Sequence, residues 1–233
     1  MKTAFIHEFL RRPLSGPQIE ARSFEIIDQE LPDRCAFPGE QWEIVRRMIH
    51  AAGEFELANL VRFSPDAIES GVAALRRGAT IYVDSNMARS GLSLARLRDT
   101  NTGYTAGKIV CHVADPDVAT QAAECGLPRS LYAIGKARKL LDGGIAVFGN
   151  APVALLELNR LVLEEGIRPA LVLAMPVGFV HVVESKQELM SLGLPFVAVE
   201  GRRGGSTLAV AALHAFCGLA KQCNLSMKGG HTR

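Results

Sequence analysis

From residue 57 onward, short apolar runs alternate with stretches whose apolar positions recur at helical spacing. The runs LANLVRF (57–63), TIYVD (80–84), KIVCHVA (108–114), IAVFG (145–149), ALVLAM (170–175) and PFVAVE (195–200) read as strands. Between them the spacing predicts a helix from Ser64 to Gly78, with Ser64 as cap, Pro65 at the first position and Gly78 as stop. Further helices are predicted from Pro116 to about Glu124, over 129–141, from about Pro152 to Glu165, from near Glu184, and from Ser206 to about Ala220. The strand runs lack strict alternation, which fits strands buried on both faces. A parallel crossover needs a helix, so the alternation predicts an α/β fold: a mostly parallel sheet covered on both sides.

Ahead of this lies EIVRRMIHAAGEF (43–55), a helix with Val45, Met48, Ile49 and Ala52 on its apolar stripe and Gly53 as its stop. His50 lies off the stripe, on the face of Glu43, Arg46, Arg47 and Glu54. Residues 1–40 carry Pro13, Pro17, Pro32 and Pro38 and are expected to form an extension with at most one short helix, near IEARSFEII. Residues 41–222 are expected to form a single domain and 223–233 a flexible tail. No internal repeat or low-complexity segment is visible.

Of the 233 residues, 48% are hydrophobic, enough for a core that folds unaided. A net charge of +2 gives no basic field for nucleic acid, so an anionic ligand must be met by locally placed cations. The five cysteines (Cys35, Cys111, Cys125, Cys217 and Cys223) form no C-x-x-C pair; buried reduced thiols are expected, and the spacing fits no zinc site. The apolar core of MKTAFIHEFLRRP is too short for a signal peptide, and ALVLAMPVGFVHVV (170–183) is too short to span a bilayer. A cytoplasmic protein with no membrane partner is expected.

In an open parallel sheet, ligands bind beyond the carboxyl ends of the strands. The segments there are SPD (64–66), SNMARSG (85–91), DPD (115–117), NAP (150–152), PVGF (176–179) and GRRGGS (201–206). In the last, two glycines lead into a helix capped by Ser206 or Thr207, and Arg202 and Arg203 can grip a carboxylate. An ordinary strand–turn–helix junction with solvated arginines explains the same residues. No Lys-Ser/Thr follows, so this is not a P-loop. Asn150 reads equally as a helix cap or a ligand contact. Lys186 falls in a first helical turn, where it opposes the helix dipole; that conflict points to function. His181 reads as a partly buried, hydrogen-bonded imidazole.

The segments IEARSFEII (19–27), RRMIHAAGEFE (46–56), VDSNMARSG (83–91), PRSLYAI (128–134), VFGNAPVALLEL (147–158), MPVGFVHVVESKQEL (175–189) and EGRRGGSTLAVAAL (200–213) resemble the precorrin-8X methylmutase family, including its cobalt-precorrin-8 form. They span nearly the whole chain in the expected order. The resemblance implies a flavodoxin-like, three-layer α/β/α fold, usually a homodimer. It implies an isomerase of cobalamin biosynthesis that moves a methyl group within one ring of precorrin-8 or cobalt-precorrin-8, giving hydrogenobyrinate or cobyrinate. It needs no cofactor and no metal site of its own; any cobalt travels in the corrin-type tetrapyrrole substrate.

The family's catalytic histidine falls on His50, and an imidazole is a side chain suited to general-acid work. The matching motifs assign substrate contacts to the cations Arg22, Arg129, Lys186 and Arg202. They assign donors to Ser23, Ser130, Gly205 and Ser206, and apolar contacts to Met87, Pro176 and Phe179. Asn86, Asn150, Gly178, Ser185 and Gly204 complete the set. The family usually reads PVGFVGAAESK and NAPT; here His181, Val182, Val183 and Val153 depart from it, and Tyr132 replaces a small residue. Such bulk reshapes a pocket or fills a differently packed core. Two other functions fit parts of the pattern. One is a tetrapyrrole carrier without turnover; the other, from the GRRGGS turn alone, is a nucleotide- or phosphate-dependent enzyme.

Overall fold

The structure is a computed structural model that describes residues 4–31 and 37–229, with 224–229 as backbone only; Cys35 and residues 230–233 lie outside the described residues. In chain order the elements are α1 (Ile6–Arg11), α2 (Gly16–Glu30), α3 (Glu40–Ala52), β1 (Val61–Phe63), α4 (Ala67–Arg76), β2 (Ile81–Val83), α5 (Asn86–Gly91), α6 (Leu94–Thr100), β3 (Ile109–Val110), α7 (Pro116–Cys125), α8 (Arg129–Leu141), β4 (Ile145–Phe148), α9 (Pro152–Glu165), β5 (Leu171–Ala174), α10 (Val182–Ser191), β6 (Phe196–Val199) and α11 (Ser206–Gly229). The six strands lie in the order β1-β6-β5-β4-β2-β3. All neighbours are parallel except β1, which runs antiparallel to β6. The five parallel strands alone give the 2-1-3-4-5 order of a flavodoxin-like sheet.

Successive strand residues face opposite ways, so each strand feeds two cores. Ile81, Val83, Ile145, Val147, Leu171, Leu173, Val197 and Val199 join Met48 of α3, Leu75 of α4, Leu97 of α6 and Phe216 of α11. Tyr82, Ala146, Phe148, Val172, Ala174, Phe196 and Ala198 join Ile134 of α8, Leu158 of α9 and Leu189 of α10. The result is three layers. The helix α11 organises the first face, packing on α3, α4, α5 and α6. Gly71 of α4 lets the Phe216 ring come close, since a Cβ there would meet it at 2.6 Å.

Several elements differ from the sequence expectation, each for a local reason. LANLVRF divides into a 3-10 turn over Phe55–Asn59 and a three-residue strand. That strand reaches the sheet edge from a turn, with no crossover helix to impose a parallel direction. The Arg62 guanidinium donates to the carbonyls of Asn59 and Val61 at 2.9 Å and pairs with Glu200 at 2.6 Å. Ser64 is not a helix cap: its hydroxyl accepts the Phe196 N–H at 2.9 Å and donates to Asp66 at 2.8 Å, and α4 begins at Ala67. KIVCHVA keeps only two paired residues, bonded to β2 alone at the other edge. SNMARSG, where the sequence predicts no helix, carries α5, and the hydroxyl of its cap Ser85 accepts the Ala88 N–H at 3.2 Å. It and α6 are too short to show a helical period.

The N-terminal extension holds two helices rather than one, and α2 is 15 residues long. Pro17 opens α2 instead of breaking it, and Gln18 accepts the Ser15 N–H at 2.8 Å. At the other end α11 continues past Ala220 to Gly229. Of the described cysteines, all free, Cys111 and Cys217 are buried, whereas Cys125 is exposed and Cys223 only partly covered.

At the carboxyl end of β4, Gly149 lies against the start of α11: a Cβ there would meet Ser206 Cα at 2.5 Å and its N at 2.7 Å. Gly149→Ala is therefore expected to lower the unfolding free energy by about 1–3 kcal/mol in urea titrations followed by circular dichroism. Gly135→Ala, in α8 with open space around the new methyl, is the matched control and should be neutral or slightly stabilising.

Candidate active site

The carboxyl edge of the sheet is organised by a carboxylate that sequence reasoning passed over. Asp84 directly follows β2 and is 1% exposed. Its Oδ1 accepts the Gly149 N–H at 3.1 Å, and its Oδ2 accepts those of Asn150 and Ala151 at 2.7 Å each. Burial pushes this carboxyl up, against the downward pull of the three N–H donors. The hydroxyls of Ser85 and Ser206 are 2.9 Å apart beside it. Together with the close packing of Gly149 on Ser206, these bonds tie the ends of β2 and β4 to the start of α11 at the point where the strand order reverses. Asn150 is not a cap; α9 begins at Pro152, and Asp84 takes up the free N–H groups of the turn. The signal in the sequence was an acid at the end of an apolar strand facing a Gly-Asn turn.

To one side, a cleft opens between the end of α3 and the loops that follow β5 and β6. This cleft has a volume of about 490 Å³ and is lined by Ala51, Ala52, Glu54, Leu57, Val177, Phe179, Arg202, Arg203, Gly204, Thr207 and Leu208. The two loops interlock. The Gly205 N–H donates to the Met175 carbonyl at 2.8 Å, and the Gly178 N–H to the Arg202 carbonyl at 3.3 Å. Gly205 (φ 131°) and Gly178 (φ 140°) adopt backbone that other residues avoid, and Gly204 presses on the Met175 and Pro176 carbonyls with no room for a Cβ. Arg203 pairs with Glu54 at 2.9 Å, and the Arg202 guanidinium carbon stands 5.5 Å from the centre of the Phe179 ring.

Lys186 does not line this cleft. Its side chain is buried, and its Nζ donates to the carbonyls of Gly201 at 3.0 Å and Arg203 at 2.8 Å. Burial lowers its pKa to about 8. The neighbouring Ser185 is also buried, its hydroxyl donating to the Val182 carbonyl at 2.9 Å.

His50 sits in the last turn of α3, where Gly53 closes the helix in a left-handed conformation. The imidazole is exposed and stands next to Ala51 and Ala52 of the cleft wall, outside the lining itself. It meets the Phe24 ring edge-on, centroids 5.3 Å apart. The guanidinium carbons of Arg46 and Arg47 lie 4.6 and 5.2 Å from the same ring. Neither arginine presents a bare charge to His50: Arg46 pairs with Asp28 and Glu43, and Arg47 with Glu20. The hydrogen bond from Arg47 holds the Glu20 carboxyl below its ordinary value, with Arg96 and His50 adding to the effect.

Of the other sequence-predicted residues, Pro176, Gly178, Phe179, Arg202, Gly204, Gly205 and Ser206 come together in or beside the two interlocked loops. Arg22 and Ser23 lie on α2, with Arg22 paired to Glu25 and the Ser23 hydroxyl donating to the Ile19 carbonyl. Asn86 and Met87 open α5, exposed; Arg129 and Ser130 open α8; none of these lines the cleft. His181 is exposed rather than partly buried, and among the described residues it is the one non-glycine with positive φ, at 56°. Ser206 begins α11, and its hydroxyl goes to Ser85 rather than to its own helix. Among the described residues no group of three or more His, Cys, Asp or Glu side chains could hold a metal ion, and no helix is long and apolar enough to cross a membrane.

Similarity to known proteins extends over most of the chain. The family model for precorrin-8X methylmutase (CbiC) matches residues 18–219. The cobalt-precorrin-8 methylmutase of Priestia megaterium is 42% identical over 216 residues, 93% of this chain and 93% of that protein. That of Leptospira interrogans is 42% identical over 208 residues, 86% and 92% of the two chains. The crystal structure of precorrin-8X methyl mutase from Thermus thermophilus matches with a TM-score of 0.79 and 45% identity, covering 88% of this chain and 98% of that one.

A second histidine lies on α11. The Ser93 N–H donates to His214 Nε2 at 3.0 Å, which leaves the ring's proton on Nδ1. Burial, with Arg96 and Arg47 nearby, lowers its pKa to about 4. The unfolded chain protonates this ring near pH 6.5, so between about pH 6.5 and 4 the unfolded state binds more protons. The contribution to stability is complete above that window and is lost as pH falls through it. His214→Gln, which keeps an acceptor for Ser93 and does not titrate, should flatten the fall of the urea midpoint between pH 7 and 4.5.

Proposed function

This chain belongs to the precorrin-8X methylmutase family and is an isomerase of cobalamin biosynthesis, and on that premise we propose that His50 is its general acid, working at the cleft between α3 and the loops after β5 and β6. The reaction shifts a methyl group from the α-carbon of one pyrrole-derived ring to the adjacent β-carbon, with no change in composition or oxidation level. A proton delivered to the macrocycle makes the methyl's destination electron-poor; it returns to the imidazole once the methyl has moved. An imidazole suits this exchange because one ring nitrogen can donate a proton and take it back.

The observation that carries the reading is continuity: the helical turn bearing His50 runs directly into Ala51, Ala52 and Glu54, one wall of the cleft, while Arg202 and Arg203 stand on the other. A flat ring with carboxylate side chains meets apolar surface from Val177, Phe179 and Leu208 and cationic groups at the rim. The remaining work is positioning plus electrostatics. Both cobalt-bearing and metal-free precursors suit the same acid, because the transferred proton goes to carbon or nitrogen of the ring. We also read the protein as a cytoplasmic homodimer. Cysteines with no C-x-x-C pair, of which Cys111 and Cys217 are buried, suit a reducing compartment, and Phe5, Ile6, Leu10, Leu14 and Ile19 leave an apolar surface along α1, its flanks and α2 for a second copy.

The wild-type chain is expected to convert precorrin-8 or its cobalt form at substoichiometric protein, with a shift in the visible spectrum. His50→Ala should abolish turnover and leave the Kd for hydrogenobyrinate within about tenfold, or ~1.4 kcal/mol. Binding without turnover in the wild type would identify a carrier instead; full turnover by His50→Ala would remove the imidazole from the chemistry.

A further inference from the structure

We propose that Lys186 is a positioning residue for the reaction, a buried ammonium that holds the Arg202–Arg203 segment in the shape that meets the substrate's carboxylates. Three observations converge on it. The side chain is 1% exposed, so its charge faces protein and not solvent. Its Nζ donates to two carbonyls of one short loop, Gly201 and Arg203, which flank Arg202 on both sides. The same loop is tied to the neighbouring one by Gly178 and Gly205, through N–H donation in opposite directions.

A lone ammonium out of water is costly unless its protons are matched, and the match here is made by backbone oxygens that few other groups could satisfy from inside. Gly201 and Gly205 adopt positive φ and bring no side chain to brace the loop; the lysine supplies from beneath a fixed spacing between residues 201 and 203. With that spacing set, the Arg202 side chain rises over Phe179 and Arg203 reaches Glu54, next to the turn that carries His50. A charge-assisted bond to a carbonyl is stronger than a neutral one, which explains a lysine where an apolar residue would fill the space more cheaply.

This inference rests on the cleft being the substrate site, and the test separates the two. In Lys186→Met, similar in length and apolar, the fold is expected to persist with its melting temperature within a few degrees. Hydrogen exchange at the Gly178 and Gly205 amides should rise at least tenfold, while the Asp84-bound amides of Asn150 and Ala151 stay protected. The KM for the precursor, and the Kd for hydrogenobyrinate, should rise at least tenfold with kcat changed less than threefold, and Lys186→Arg should recover part of both. Unchanged exchange, or faster exchange with unchanged KM and Kd, overturns the proposal. So does a loss confined to kcat, which would put the amine on the reacting atoms. A wild-type chain that binds hydrogenobyrinate but does not isomerise its precursor overturns the function proposed above, and the exchange and Kd arms still decide on Lys186.

Discussion

The carboxylate of Asp84, withdrawn from water at the end of β2, fixes the geometry of the whole functional edge. Three consecutive N–H groups of the β4–α9 turn converge on its two oxygens. A turn held so tightly places Gly149 against Ser206, and that contact sets where α11 begins. Once α11 is placed, so is α3, the helix it packs most extensively among those of its layer, and with it the turn that carries His50. An unpaired carboxylate at such depth would be expensive; backbone donors make it tolerable, and they do so only in this one conformation of the turn.

In the function proposed above, the substrate is bound away from the strand-order reversal. At the ends of β2 and β4 the Asp84 carboxylate is bonded to the backbone of the following turn, and the cleft beside His50 lies two strands over, bounded by α3 and the loops after β5 and β6. Many cations near it are already committed to protein partners. Arg46 and Arg47 answer Asp28, Glu43 and Glu20; Arg203 answers Glu54; Lys186 answers two carbonyls. Such pairs hold the walls in register, and the imidazole stands beside arginines whose charges are already balanced.

The layered architecture was legible because the central strands are buried on both faces and therefore read as uninterrupted apolar runs: IAVF, LVLA and FVAV were found nearly to the residue. Elements with weak patterns were not. A three-residue edge strand with an outward arginine, and two helices of six and seven residues, carry too few positions for a period to emerge. Prolines near the N-terminus looked like breaks but one opens a 15-residue helix. At the site, the glycine-rich loop and its arginines were visible as types, and Gly204 and Gly205 proved to be required by close contact and by φ. What spacing could not tell was the partner of each polar group. Asp84 and Lys186 find theirs 65–67 and 15–17 residues away, across the fold. His50 itself was singled out by lying off the apolar stripe, and it lies on the exposed side of its helix.

The short strand at the margin of the sheet has an effect on how molecules of this chain can meet. Arg62 folds its guanidinium back onto the carbonyls of its own segment, and the opposite margin offers only two residues of β3. Neither border is a template onto which a foreign strand could zip, so cross-β growth has no starting point in the native molecule. Association of folded molecules is therefore left to helices and loops.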